Sequence, residues 1–177
     1  MLPLIIMGSY MACQNTSPEP SSKIVVVTET KHAAPAAGDF EKNSFQCCSD
    51  PEITELLDSY LKLQESMAND DETQSLINGG LFHTILSKTS EKHDSLNSLT
   101  TYTSAWGQDS LKEVRMDFED FNRGFLPFIK RFQSDAGSLT VSKAFCPMAP
   151  GRWLQQKPEL RNPYYGAQML TCGVFEE

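Results

Sequence analysis

"LKEVRMDFEDFNRGFLPFIKRF", Leu111 to Phe132, is the stretch whose period decides what fold to expect. Leu111, Val114, Phe118, Phe121, Phe125, Phe128 and Phe132 recur at steps of three and four, which lines them up along one face of an α-helix. An aromatic face that wide must be buried against neighbouring helices, and at this spacing it is the inner wall of a bundle before it is a cofactor slot. Pro127 interrupts the pattern. It has no amide hydrogen for the carbonyl of Arg123, so a kink is predicted near Arg123.

Upstream, Asp50 caps a helix that Pro51 opens and that Glu52 and Glu55 favour by charge. Ile53, Leu56, Leu57, Tyr60, Leu61 and Met67 carry its apolar stripe to about Ala68. Asn69, Asp70 and Asp71 end it and cap the next, predicted from Glu72 to Lys88 with Leu76, Ile77, Leu81, Ile85 and Leu86 inward. Gly79–Gly80 weakens that helix locally. A polar third helix is expected from about Ser90 to Trp106, with Leu96, Leu99, Tyr102 and Trp106 on one side. Four helices on short links imply an all-α fold, an up-and-down bundle. After Gly137, "SLTVSKAFC" alternates as one short strand and delivers Cys146 to an irregular C-terminal hook.

The 177 residues suit one domain plus a leader. A net charge of −8 argues against nucleic acid or anionic lipid as a partner. "MLPLIIMGSYMAC" is a short apolar stretch ending in small residues and Cys13, and it resembles a bacterial lipoprotein signal, with Cys13 as the lipidation site. Tyr10 stands where an aliphatic residue is usual, and no Lys or Arg opens the segment. The division expected is a signal over 1–13, a flexible tether over 14–49 with "KIVVVTET" as its one strand-like stretch, and the helical domain with its hook over 50–177. The membrane would then be reached through the lipid alone, and the chain would sit in the cell envelope.

Five cysteines are an odd set; with Cys13 lipidated, Cys47, Cys48, Cys146 and Cys172 remain. Adjacent cysteines such as Cys47 and Cys48 rarely bridge each other. In the hook, Cys146 and Met148 lie two apart, and Met169 and Cys172 three apart. Thiolate and thioether are soft ligands that select Cu(I) over hard cations. Pro147, Pro150, Pro158 and Pro163 restrict the loop, while Trp153, Tyr164 and Tyr165 can pack it down. Two plainer readings stay open: a Cys146–Cys172 disulfide stapling the hook, and methionines as core filler. His32, His83 and His93 read as surface or satisfied residues, with His83 the reserve ligand. No nucleophile elbow, phosphate loop or H-E-x-x-H motif occurs, so no enzyme is expected.

"FCPMAPGRWLQQKPELRNPYYGAQMLTCG" (Phe145–Gly173) resembles the signature of the domain-of-unknown-function 3347 family. The resemblance extends over about residues 50–175, with "VRMDFEDFNRGFLPFIKRF" similar to that family's last long helix. It implies a bacterial exported protein or lipoprotein, of a kind sometimes joined to periplasmic adaptors of copper/silver efflux pumps. By position it implies Cys146, Met148, Met169 and Cys172 as the metal-binding set, and Asn162, Pro163, Tyr165 and Gly166 as a structural turn. The function expected is a lipoprotein that binds a soft metal, Cu(I), for tolerance or delivery to an efflux adaptor. The alternative is a non-catalytic interaction module, its hook stapled by the disulfide and presenting Trp153 and the tyrosines to a protein partner.

Overall fold

Three of the four expected helices form, and each begins where its cap lies. The structure, a computed structural model, describes residues 37–149 and 151–176; the described elements belong to one compact unit, His32–Glu177. The expected signal over 1–13, Cys13, "KIVVVTET" and His32 lie outside the described residues. A short helix α1 (Ala37–Asn43) and strand β1 (Ser44–Cys47) precede α2 (Pro51–Ala68) and α3 (Glu72–Ser90). Asp50 accepts the amide of Glu52 at 2.8 Å, and Asp71 that of Gln74 at 2.9 Å, so both helices start on side-chain caps. Helix α5 (Leu111–Lys130) starts on a full capping box between Ser110 and Glu113 and runs through Pro127 as one element.

The third expected helix is not there. Residues 94–96 make a 3-10 turn and Thr100–Thr103 a single helical turn, α4. Ser95, Asn97, Ser98, Thr100 and Thr101 bind backbone locally as readily as they continue a helix. What this segment delivers is Trp106, which is fully buried and stacks on Phe82 at 6.0 Å. Tyr60, Phe82, Phe118, Phe121 and Phe125 complete a fully buried aromatic core, with Tyr60–Phe125 and Phe121–Phe125 both at 4.9 Å. Each such ring contributes about 1.5–3 kcal/mol through burial.

Helix α3 is partly rotated from its predicted face: Leu86 is buried and Leu76 and Ile85 pack on the core as expected, but two of the five predicted positions turn out. Ile77 and Leu81 are 59% and 50% exposed, while Ser75, Gly79, Phe82 and Leu86 face inward. Gly79 is the reason. A Cβ there would meet the Trp106 carbonyl oxygen at 2.8 Å and its Cβ at 2.9 Å, so only glycine lets the Trp106 segment lie against the helix. Gly80 is roomier, its nearest neighbour at 3.4 Å. Gly79→Ala is therefore expected to lower the melting temperature despite alanine's better helix propensity. Gly80→Ala should raise stability, by up to about 1 kcal/mol; thermal unfolding of the two variants checks both signs.

The all-α expectation is overturned by a four-stranded antiparallel sheet, which makes the fold mixed α/β. Strand β2 (Leu139–Cys146), the one strand foreseen, pairs with β1, with β3 (Gly151–Gln155) and with β4 (Val174–Glu176). Ser142 lies opposite both Ser44 and Gln155, and Ala144 opposite both Trp153 and Phe175. One edge of β2 is thus filled by β3, and the other by β1 and β4 end to end. The segment expected to be a flexible tether up to residue 49 therefore ends earlier, because Ser44–Cys47 belongs to this sheet. Phe40 of α1 packs edge-on against Phe175 of β4 at 5.4 Å, which ties α1 to it as well.

The thiol pair of the C-terminal hook

Strand β2 ends on Cys146, which is fully buried, and the hook returns to it from the far side. Trp153 on β3 is fully buried; its indole N–H donates to Gln155 Oε1 at 2.9 Å. Gln155, itself buried, also accepts the amide of Arg161 and donates to the carbonyls of Lys157 and Glu159 at 2.6 and 2.9 Å. One side chain thus shapes the 156–161 loop. Buried Asn162 does the same for the next turn. Its Oδ1 accepts the Tyr164 amide at 2.9 Å, and its Nδ2 donates to the Cys172 carbonyl at 3.1 Å.

Helices α2 and α5 hold the hook down. Gln64 donates to the Arg161 carbonyl at 2.6 Å, Glu65 receives Lys157 and Arg161, and Arg161 also reaches Asn69. Arg115 donates to the carbonyls of Met67 and Pro163 and to the Asp70 carboxylate, at 2.6, 2.8 and 2.6 Å. Asp70 also accepts the Ala167 amide at 2.7 Å. The hydrogen bond from Arg115, and then that from Ala167, hold the Asp70 carboxyl below its ordinary range. Gly166 sits at φ +53° with its Cα against that carboxylate, where any side chain would collide.

This scaffold brings the sulfurs of Cys146 and Cys172 to 3.1 Å, and both are free thiols. Gly173, at φ +145°, lets the chain slip between the Phe145 carbonyl and the Trp153 ring just after Cys172. Burial, and then the contact with the Cys146 sulfur, push the Cys172 thiol up to about 11. At neutral pH it is a protonated, poorly nucleophilic thiol.

The four-sulfur set does not assemble as one buried cluster. Met148 and Met169 are 60% and 38% exposed, on the two arms of the hook. Tyr165 fixes the Met148 carbonyl with its hydroxyl at 3.0 Å, and Cys172 N–H closes a turn on the Met169 carbonyl at 2.9 Å. His83 Nδ1 is 2.8 Å from the Thr103 hydroxyl, and His93 lies edge-on to Phe128 and Phe132, so neither joins the sulfurs. Among the described residues no group of three or more His, Cys, Asp or Glu side chains converges. A two-thiol donor set still suits a soft monovalent ion, since such ions accept low coordination by sulfur. Trp153, foreseen in the alternative reading as offered to a partner, is buried instead.

Cys47 and Cys48 correct a second expectation, because the adjacent pair is bridged. The turn between β1 and α2 makes room for it by placing Cys48 at φ 74°. The Cys48 amide donates to the Phe132 carbonyl at 3.0 Å, and its carbonyl accepts Thr54 Oγ1 at 3.0 Å. Both cysteines are buried.

Asp70, Arg115 and Gln155 are polar residues that build this region, and none stood out in the sequence as a site residue. Asp70 reads there as part of a helix stop, and Asn162 was marked only through its turn. Compared with known proteins, the chain matches no family model, no curated protein and no solved structure.

Proposed function

We propose that this chain is a non-catalytic cell-envelope lipoprotein that carries Cu(I) between Cys146 and Cys172, for metal tolerance or hand-over to an efflux adaptor. The observation that carries the reading is the approach of two free thiols to 3.1 Å on a hook held by side-chain bonds from α2 and α5. The resemblance to the domain-of-unknown-function 3347 family points the same way. An ion enters only if the sulfurs part. Cys146 is fixed in β2, so half-buried Cys172 on its turn is the one that moves. Exposed Met148 and Met169 supply thioethers from which an arriving ion can be passed inward by ligand exchange. Since both protons must leave, affinity should rise with pH.

The second reading, a Cys146–Cys172 disulfide staple in a protein-interaction module, is favoured by the same close approach and by the burial of Cys146. An anaerobic Cu(I) titration of the reduced chain with thiol counting separates the two. The metal reading expects about one Cu(I) per chain, lost in Cys146→Ser and in Cys172→Ser, and several-fold weaker in Met169→Leu. A double Cys→Ser chain that keeps its affinity would falsify it. The staple reading expects no free thiol at these two positions in protein taken from the envelope. It also expects about 3–4 kcal/mol of stability to vanish on reduction.

A further inference from the structure

The face of α5 turned away from the aromatic core lies over the sheet and encloses a cavity of about 390 Å³. Its walls come from three strands and one helix: Phe45 of β1, Lys143 of β2, Arg152 and Leu154 of β3, and a run of α5 from Glu119 to Lys130. Phe45, Leu126, Pro127 and Leu154 give it an apolar floor. Arg123, Lys130, Lys143 and Arg152 stand around that floor, with Glu119 the one carboxylate among the lining residues. With Asp120 and Glu176, which pair with these cations from just outside the lining, the rim holds four cations against three carboxylates, a slight positive balance in a chain of net charge −8.

The cations are held in place. Arg123 is tethered by Glu119 at 2.6 Å and Asp120 at 3.3 Å while remaining 71% exposed. Lys130 lies over the Phe45 ring at 4.5 Å, and Arg152 over Phe145 at 4.5 Å with Glu176 at 2.8 Å. Lys143 is 3.7 Å from the same Glu176.

One polar side chain fixes this wall. Asn122, 2% exposed, donates through Nδ2 to the Arg152 carbonyl at 2.8 Å and to the Tyr164 hydroxyl at 3.2 Å, which ties α5 to β3 beside the cavity.

We propose that this cavity binds a small amphipathic anion: an apolar chain on the Phe45–Leu126–Pro127–Leu154 floor and an acidic group at the basic rim. Medium-chain carboxylic acids have this chemistry. The volume falls within the range of small-molecule sites, and an apolar body with a few placed polar groups is their usual make-up. The proposal is independent of the thiol pair.

Calorimetric titration of the full chain with decanoate and decylamine, both below micelle formation, tests it. One saturable site is expected for decanoate and none for decylamine. Arg123→Glu, on an exposed side chain that the fold does not need, should weaken decanoate on the order of fivefold. Backbone amide shifts should move at Phe45, Leu126 and Leu154, with the Cys146–Cys172 region unchanged. Absence of saturable binding, equal binding of decylamine, an unaffected Arg123→Glu chain, or shifts located elsewhere would each overturn the assignment.

Discussion

Trp153→Ala is expected to lower the unfolding free energy by about 3–5 kcal/mol, the range for removing a fully buried large aromatic. That is a large part of the 5–15 kcal/mol that holds a typical domain together. Trp153 is fully buried, meets Tyr164 edge-on at 6.0 Å and forms one side of the slot through which Gly173 passes. Its loss removes the floor beneath the hook as well as core area. Trp153→Phe keeps the edge contact and loses the hydrogen bond to Gln155, so about 1–2 kcal/mol is expected there. Urea unfolding gives both numbers. The rate at which Cys146 reacts with a thiol reagent should rise in the alanine variant, because the cover over β2 loosens. A Trp153→Ala chain within about 0.5 kcal/mol of the parent would mean that the hook does not pack on the core.

Arg115→Ala carries the second large effect. One guanidinium satisfies the carbonyls of Met67 and Pro163 and the carboxylate of Asp70, joining α2, α5 and the hook. Removing one partner of a buried pair costs about 3–5 kcal/mol. Here the Arg115 and Asp70 side chains are 19% and 39% exposed, and water reaching Asp70 reduces the expected loss to about 2–3 kcal/mol. The acid response follows with a definite sign. The folded-state pKa of Asp70 is lowered, so its contribution is fully present above the ordinary carboxylate value, near pH 4, and is lost as pH falls through the lowered one. Glu65 adds in the same direction: burial works against its charged form, but Lys157 and Arg161 outweigh burial and lower its pKa. Unfolding free energies measured from pH 6 down to pH 2 should therefore fall less steeply for Arg115→Ala than for the parent. Parallel slopes would show that Arg115 is not what stabilises the Asp70 carboxylate.

What could be read in advance tracks how local each determinant is. Helices α2, α3 and α5 follow from signals within one segment: Asp50 and Asp71 marked the first two starts, and the three-and-four spacing from Leu111 marked the third. Strand β2 also shows in its own alternation. Its partners do not: "SFQC", "GRWLQ" and "VFE" are four, five and three residues long, two of them flanked by turns, and too short for a period to register. Only pairing with a distant strand makes them strands, and that pairing turned an expected bundle into a mixed fold. The rotation of α3 has the same origin. Gly79 reads as a helix weakness until Trp106, far along the chain, lies against it. At the site, residue type picked out Cys146 and Cys172, but their meeting depends on Asn162, Gln155 and Arg115, polar residues whose roles are set by contacts across the fold. The exposure of Met148 and Met169 was equally out of reach, since a thioether in an aperiodic loop carries no sign of which way it turns.

The end-to-end placement of β1 and β4 along one edge of β2 has a consequence for folding order. Glu176 stands opposite Lys143, and Ser44 opposite the next residue, Ser142, so segments from the two sides of the helical region form one interrupted strand. Long loops must close before either piece pairs, which makes this edge of the sheet a late event beside the locally encoded helices and the β2–β3 hairpin. Cys146 closes β2, and Cys172 lies two residues before β4 begins. The sulfurs therefore come together only when this last closure is complete, so their proximity reports the finished fold and any opening of that edge separates them.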